Sequence, residues 1–353
     1  MKILGIESSC DETAASIVED GKILLSNIVA SSMDKHAIYG GVVPEIAARS
    51  HIEVIIPVIE QALDIAKVTW ADVDAIAVTY GAGLGGSLLV GVITAKTLAI
   101  IKDKPLYRAN HVEGHIYSNF ITQSPLTNYS LPKKQPDFPL LGLIVSGGHS
   151  QLVLFEDHFN YKLLGQTRDD AIGEAFDKVA KIIGLPYPGG PSIAKAAVNG
   201  DPYAYELPKS KLTNKYDYSF SGIKTAVLRL AQNLIGEDYN FPSSKLSERL
   251  NSTQKANIAA SFQRVAVETV VDKTIEAFKE FNPSTVVIGG GVASSQELRN
   301  QLEKRLPIKI SYTDPKLCTD NGAMIATVGY YQAIHKYNLI DPFELTIKPN
   351  LSM

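Results

Sequence analysis

The chain has 353 residues, 45% of them hydrophobic, a formal net charge of −3 and two cysteines, Cys10 and Cys318. That length suits two domains or lobes, each large enough for its own core. The charge balance excludes a protein that gathers nucleic acid or anionic membrane by bulk charge. The cysteine count excludes a disulfide framework and fits a reducing compartment.

Residues 2–6, "KILGI", predict a first strand that ends in the polar turn "ESSCDET". The start lacks the apolar core of a signal peptide, so a cytoplasmic protein is expected. "AASIVEDGKILLSNIVA" predicts two strands joined at Asp20-Gly21, a strong hairpin signal. Residues 44–66 carry apolar side chains at helical spacing, and Pro44 suits a first turn. "VDAIAVTY" (73–80) predicts a strand, followed by the glycine-rich "GAGLGGS" and a nearly all-apolar helix, "LLVGVITAKTLAIIK", expected to be buried. Its run "SLLVGVITAKTLAI" is the best candidate for a membrane span, but it is short and interrupted by Lys96, so no membrane is expected.

Residues 122–138, rich in Pro, Ser and Asn, predict a surface loop and a lobe boundary. The pattern then restarts. "PLLGLIVSGGHSQLVLFED" predicts strand, Gly-Gly turn and strand, as at the N-terminus. "DDAIGEAFDKVAKIIGL" predicts an amphipathic helix with Ala175, Phe176, Val179, Ile182 and Ile183 on one face. A long helix over 257–281, a buried strand in "STVVIGGGVAS" and a last helix in "NGAMIATVGYYQAIHKY" follow. The order predicts two α/β lobes of similar plan with ligands between them, and suggests an internal duplication. The expected division is an N-terminal lobe over 1–121 with the last helix (321–337) packed back on it, a loop over 122–138, a second lobe over 139–320 and a tail over 338–353.

Four turns close predicted strands: "ESSCDET" (7–13), "GAGLGG" (81–86), "VSGGHS" (145–150) and "IGGGVASS" (288–295). Amides in such turns converge on anionic oxygens, and glycine lets the main chain approach without a Cβ clash. Together they point to a nucleotide or an acyl phosphate. None has the Gly-Lys-Ser/Thr ending of a Walker A loop, and none is a Rossmann fingerprint.

"NHVEGH" (110–115) holds two histidines four apart. On a helix His111 and His115 lie about 40° apart and can share one ion, whereas Glu113 lies about 200° from His111. In the H-E-x-x-H protease motif the glutamate follows the first histidine directly, so the likeness to a metalloprotease is superficial. A spaced histidine pair also arises by coincidence. Asp320, in "CTDNGAM", is the best candidate for a third ligand, although Thr-Asp-Asn before an apolar helix also reads as an N-cap. Two imidazoles and one carboxylate suit iron(II) or zinc(II). In "RDDAIGEAFDK", Asp170, Glu174 and Asp177 share a helical face. It reads either as a solvated charged face or as a site in which Asp177 accepts hydrogen bonds from a ligand.

These segments, with "GGVVPEIAARSHIE" and "YSFSGIKTA", together resemble the tRNA adenosine threonylcarbamoyltransferases (TsaD, formerly the Gcp glycoprotease family), in order from about residue 1 to 335. The resemblance implies an actin/Hsp70/sugar-kinase-like fold, with each lobe a mixed sheet flanked by helices. It also implies transfer of a threonylcarbamoyl group from threonylcarbamoyl-AMP to the exocyclic amine of the adenosine 3′ of a tRNA anticodon, releasing AMP. It puts metal ligands at His111, His115 and Asp320, with iron(II) favoured and zinc(II) the alternative. Substrate contacts fall on Ile144, Val145, Ser146, Gly147, Gly148, Asp177 and Gly190. Two positions depart from the family pattern: Ser295 stands where Asn is usual, and Ala194 where some members have Asp. Asp11 or Glu12 is the expected acceptor of the amine proton, a capped polar turn being the alternative. Basic clusters at Lys102/Lys104, Lys133/Lys134 and Lys209/Lys211/Lys215 are candidate tRNA contacts. The expected partners are a paralogous TsaB-type subunit and a small TsaE-type ATPase. The rival functions are an ATP-dependent small-molecule kinase of the same fold, disfavoured because strand one ends in Glu7 rather than Asp, a non-catalytic nucleotide-binding scaffold, and a metallopeptidase.

Overall fold

The computed structural model describes residues 1–353. Along the first part of the chain run β1 (Lys2–Glu7), β2 (Glu12–Glu19), β3 (Ile23–Ser31), α1 (Met33–Ala37), α2 (Pro44–Ala66), β4 (Ala75–Gly81), α3 (Gly85–Lys102), β5 (Leu106–Asn110) and α4 (His111–Tyr117). Then come β6 (Leu140–Val145), β7 (Ser150–Asp157), β8 (Asn160–Gln166), α5 (Ile172–Ile183), α6 (Gly189–Ala197), α7 (Ser221–Leu234), α8 (Leu246–Arg249) and α9 (Ser252–Phe281). The chain closes with β9 (Thr285–Gly289), α10 (Gln296–Arg305), β10 (Ile310–Ser311), α11 (Pro315–Cys318), α12 (Gly322–Ile334) and β11 (Leu339–Ile340).

Two compact units result: residues 1–136 with 311–353, and residues 137–310. Residues 311–320, expected in the second lobe, belong to the first unit. Asp314 accepts the Ser130 amide at 2.8 Å and Lys316 Nζ donates to the Asn128 carbonyl at 3.1 Å, so the loop after residue 122 holds this segment.

The first unit is a six-stranded sheet in the order β11-β5-β4-β1-β2-β3. β1–β2–β3 is an antiparallel meander turning at Asp20-Gly21, and β4 and β5 join parallel to β1. The core lies where α2 and α3 cover the sheet, with Ile6, Ile17, Ile55, Ile59, Ile76 and Val92 buried together. The second unit repeats the plan in five strands, β10-β9-β6-β7-β8: an antiparallel meander β6–β7–β8, then β9 parallel to β6. α5 buries Ala175, Phe176, Val179 and Ile183 as its period predicts, while Ile182 is half-buried and Ala180 takes the inward position.

Helix α3 departs from expectation. It runs 18 residues, long and apolar enough to cross a membrane by length and composition, yet only a third of it is buried. Leu89, Ile93, Ile100 and Ile101 face outward, and Lys96 anchors the other side by donating to the Leu345 carbonyl at 3.1 Å. Helices α6, α7 and α10 and strand β8 were not expected from periodicity. At the start of α7, Asp169, far back in sequence, accepts the Phe220 amide at 2.8 Å and the Ser219 hydroxyl at 2.5 Å.

α12 crosses the sheet at closest range. A Cβ on Gly5 would stand 2.1 Å from the Gly322 carbonyl oxygen, and one on Gly322 would stand 2.6 Å from the Ser16 amide nitrogen. Both glycines are therefore required by approach rather than by backbone angle. Gly5→Ala or Gly322→Ala should each destabilise the protein by about 1–3 kcal/mol through overpacking, read as a lower denaturant midpoint with unchanged m-value.

Candidate metal centre and nucleotide cradle

α4 begins where β5 ends. The Asn110 side chain accepts the Val112 amide at 2.9 Å, capping the helix at its first turn. His111 and His115 then face one side, with ring centroids 4.8 Å apart and ring planes at 76°. α12 is capped in turn by Asn321, which accepts the Met324 amide at 3.0 Å, so the cap role falls to Asn321 and leaves Asp320 outside it. Oδ1 of Asp320 lies 3.5 Å from Nε2 of His111 and 3.5 Å from Nε2 of His115. All three donor groups fall within 4.8 Å of one another. A neutral-nitrogen pair and a hard carboxylate oxygen focused on one point fit a divalent first-row ion of the iron(II) or zinc(II) kind.

Electrostatics support the same reading. Burial pulls the His111 imidazole down, but the Asp320 and Glu7 carboxylates outweigh it and hold the ring up at about 9. Burial raises Asp320 to about 6, partly offset by His111 and reinforced by Glu7 and Asp11. Burial, then the charges of Asp320 and Asp11, push Glu12 up to about 10. So many carboxylates around one point are costly without a cation. Burial and the acids Asp11, Asp320 and Glu12 push the Cys10 thiol far above its ordinary value, which rules it out as a thiolate nucleophile. Glu113 is buried on α4 and adds to the upward push on the Tyr80 hydroxyl, on the strand β4.

The glycine turns divide into two kinds. Gly83 donates its amide to the Pro349 carbonyl at 3.0 Å and Leu84 donates to the Ser9 carbonyl at 2.8 Å. The 81–86 turn is thus filled by the chain's own tail and by the 7–13 turn, not left to grip an anion. Lys348 reinforces this by donating to the Tyr80 carbonyl at 2.7 Å, and Asn110 donates to the Ser352 carbonyl at 3.3 Å. The 7–13 turn is itself tethered by His51 on α2, whose ring lies 3.0 Å from the Cys10 carbonyl and 2.7 Å from the Thr13 hydroxyl.

In the second unit the 145–148 turn stays open. Ile144 and Val145 are buried in β6, so only their main chain can meet a ligand. The Ser146 hydroxyl accepts the His149 amide at 3.1 Å and sets the turn, while Gly147 and Gly148 are exposed, with nothing within 4 Å of an added Cβ. Gly173 of α5 and Gly290 (φ +91°) press against this turn: a Cβ on either would lie 2.7 Å from the Ser146 carbonyl oxygen or 2.3 Å from that of Val145. Asp177 accepts the Gly189 amide at 2.6 Å, holding the start of α6 against α5, and Gly190 beside it fronts open space. The Ser295 hydroxyl caps α10 by accepting the Leu298 amide at 3.4 Å.

Asp170, expected on the helix, lies before it and binds Lys178 at 2.8 Å and Lys224 at 2.9 Å. Of the candidate basic clusters, Lys209 pairs with Glu268 and Asp272, and Lys215 with Glu276 and Glu280. Lys102 lies 5.3 Å over the Trp70 ring. Lys209 and Lys215 are thus paired within the chain. Residues not anticipated from sequence are Glu7, Ser9 and Thr79 behind His111, Asn110 as helix cap, and the tail from Leu345 to Ser352. The one available signal was a charged residue, Glu7, closing an otherwise apolar strand.

Residues 23–327 match the family described as TsaD, tRNA N6-adenosine threonylcarbamoyltransferase. The protein of that name from Thermomicrobium roseum is 49% identical over 344 residues, covering 94% of this chain and 92% of its own. The one from Desulfitobacterium hafniense is 48% identical over 359 residues, covering 100% and 98%. Full-length HypF in its phosphate- and nucleotide-bound form shares the fold, with a TM-score of 0.56 at 14% identity over 94% of this chain and 46% of its own. Two mixed sheets with flanking helices and these relatives define an α/β enzyme of the actin/Hsp70/sugar-kinase-like fold, a transferase of tRNA modification. The chain belongs to the tRNA N6-adenosine threonylcarbamoyltransferase family.

An ion at this centre needs the Nε2 lone pair of His111, which a proton occupies below about pH 9. Chelator-stripped protein should release about one proton per zinc(II) bound at pH 7.5, with apparent affinity rising about tenfold per pH unit toward 9. Calorimetry in buffers of differing ionisation enthalpy counts the proton, and titrations at several pH values up to 9 measure the affinity.

Proposed function

We propose that the protein transfers the threonylcarbamoyl group of threonylcarbamoyl-AMP to N6 of the adenosine 3′ of the anticodon in tRNA, with one divalent ion, iron(II) or zinc(II), held by His111, His115 and Asp320. The observation that carries this is the convergence of those three side chains in a protein of this family. The new bond joins N6 to the carbamoyl carbon, the carbon–oxygen bond to the phosphate breaks, and AMP leaves with that electron pair. When bound, the ion offsets negative charge on the substrate's phosphate or carboxylate.

The remaining work falls to the chain's own groups. The amides of Gly147 and Gly148 cradle the acyl-phosphate end, in a turn closed by the Ser146 amide donating to the His149 carbonyl at 2.8 Å. Ile144 and Val145 contribute main chain only. Asp177 and Gly190 serve the nucleotide's sugar. Ser295, engaged as a helix cap, offers a shorter reach to the base than the asparagine usual in the family. Asp11 or Glu12, on the turn after β1, accepts the proton leaving N6. The nucleophile is a weak amine and the mixed anhydride is reactive, so positioning dominates.

The exposed surface supports the partners that the family resemblance implies. Ile52 and Ile56 on α2 and Leu89 and Ile93 on α3 are exposed apolar side chains on two helices that approach closely at Ala48 and Gly86. This suits a paralogous TsaB-type subunit docking helix to helix, with a TsaE-type ATPase attending. With a net charge of −3 and Lys209 and Lys215 paired internally, the chain needs such a partner to complete a tRNA surface. A tRNA substrate supports the reading of a cytoplasmic protein.

Synthetic threonylcarbamoyl-adenylate, unmodified tRNA and the partner subunits should yield modified adenosine by mass spectrometry. His115→Ala should lower the rate at least about 100-fold, in line with the loss of several kcal/mol of charge stabilisation. No product with the wild-type protein would overturn the assignment. For the cradle, Gly147→Val should leave the melting temperature within about 2 °C, since its side chain enters open space. The same change should weaken adenylate binding about tenfold or more in a calorimetric titration.

A further inference from the structure

β1 ends in a carboxylate that faces away from water. Glu7 is fully buried. Its Oε1 accepts the Ser9 amide at 2.5 Å, and its Oε2 accepts the Thr79 hydroxyl at 2.5 Å. The same Oε2 lies 3.1 Å from Nδ1 of His111, and the Ser9 hydroxyl lies 3.1 Å from that nitrogen. The opposite ring nitrogen, Nε2, is the one aimed at Asp320. An ionised carboxylate has no proton to give, so its contact with Nδ1 is attractive only when Nδ1 carries the hydrogen.

We propose that Glu7 is a positioning residue for the metal centre: it holds the proton of His111 on Nδ1 and so leaves Nε2 as the donor atom for the ion. This rests on the reading of His111, His115 and Asp320 as that centre. Carboxylates behind metal-bound histidines act in this way by fixing ring orientation and raising ligand basicity. Here the carboxylate is itself held from two sides, by the main chain of its own turn and by Thr79 on the neighbouring strand β4. These bonds turn the acid at the end of β1 onto the protein's own histidine.

The geometry makes a specific demand on the side chain. Both oxygens of Glu7 face donors: an N–H at Oε1, an O–H and an N–H at Oε2. A glutamine fills the same volume but turns one of these acceptors into a donor. Its NH2 must then face either the Ser9 amide or His111, and in the second case it drives the ring to the other tautomer.

Two measurements test this on the full-length protein. Zinc(II) affinity by chelator competition should fall about 10–100-fold in Glu7→Gln and by less in Thr79→Val, which removes one support without touching the ring. Circular dichroism melting shows whether each variant is folded. A folded Glu7→Gln with affinity within twofold of wild type overturns the proposal. Independently of any variant, long-range 1H–15N correlation on zinc(II)-loaded wild-type protein should show His111 protonated on Nδ1 and bound through Nε2. The reverse assignment overturns the proposal even if Glu7→Gln fails to fold. Failure of wild type to bind zinc(II) or iron(II) at all would instead sink the metal centre itself.

Discussion

The approach of α12 to β1 is the constraint on which the first unit's chemistry rests. Gly5 and Gly322 let a helix pass over a strand at a distance no side chain permits. That passage carries Asp320, two residues before Gly322, to the His111–His115 pair. The ligands are separated by some two hundred residues of sequence, and the second unit is inserted between them. A looser crossing would leave the carboxylate short of both rings.

Around that crossing the structure accumulates charge of one sign. Glu7, Asp11, Glu12 and Asp320 act on one another, and burial raises the cost of ionising them. The histidines answer only part of this. Such frustration is stable when a cation completes the set, and it accounts for the raised His111. The surrounding turns are fixed by internal contacts. His51 tethers the 7–13 turn, the tail fills the 81–86 turn, and Asn110 ties the tail to the cap of α4. In this unit the glycine-rich segments serve close packing.

The second unit uses the same topology for another purpose. Its equivalent first turn, 145–148, presents glycines to open space, and neighbouring elements press on it from behind without covering it. The 81–86 turn of the first unit and Gly290 of the second both pack against protein, whereas Gly147 and Gly148 face outward. That contrast separates a turn that packs from a turn that can receive a ligand, and composition alone does not distinguish them.

Local rules carried the sequence a long way. The hairpin at Asp20-Gly21, the helix over 44–66 with its leading proline, the inward face of α5 and the angular mismatch of Glu113 all follow from period and propensity within a few residues. The ordered set of motifs was enough to identify the family and its fold. What needed tertiary structure was every feature that depends on a partner distant in the chain. α7 takes its cap from Asp169 and the 81–86 turn is filled from residues 348–349. Glu7 faces His111 across about a hundred residues. α3 exposes the apolar face that its composition suggested would be buried. Hydrophobic period and turn chemistry act between near neighbours. Hydrogen-bond partners across the fold are chosen by packing, which no stretch of sequence states.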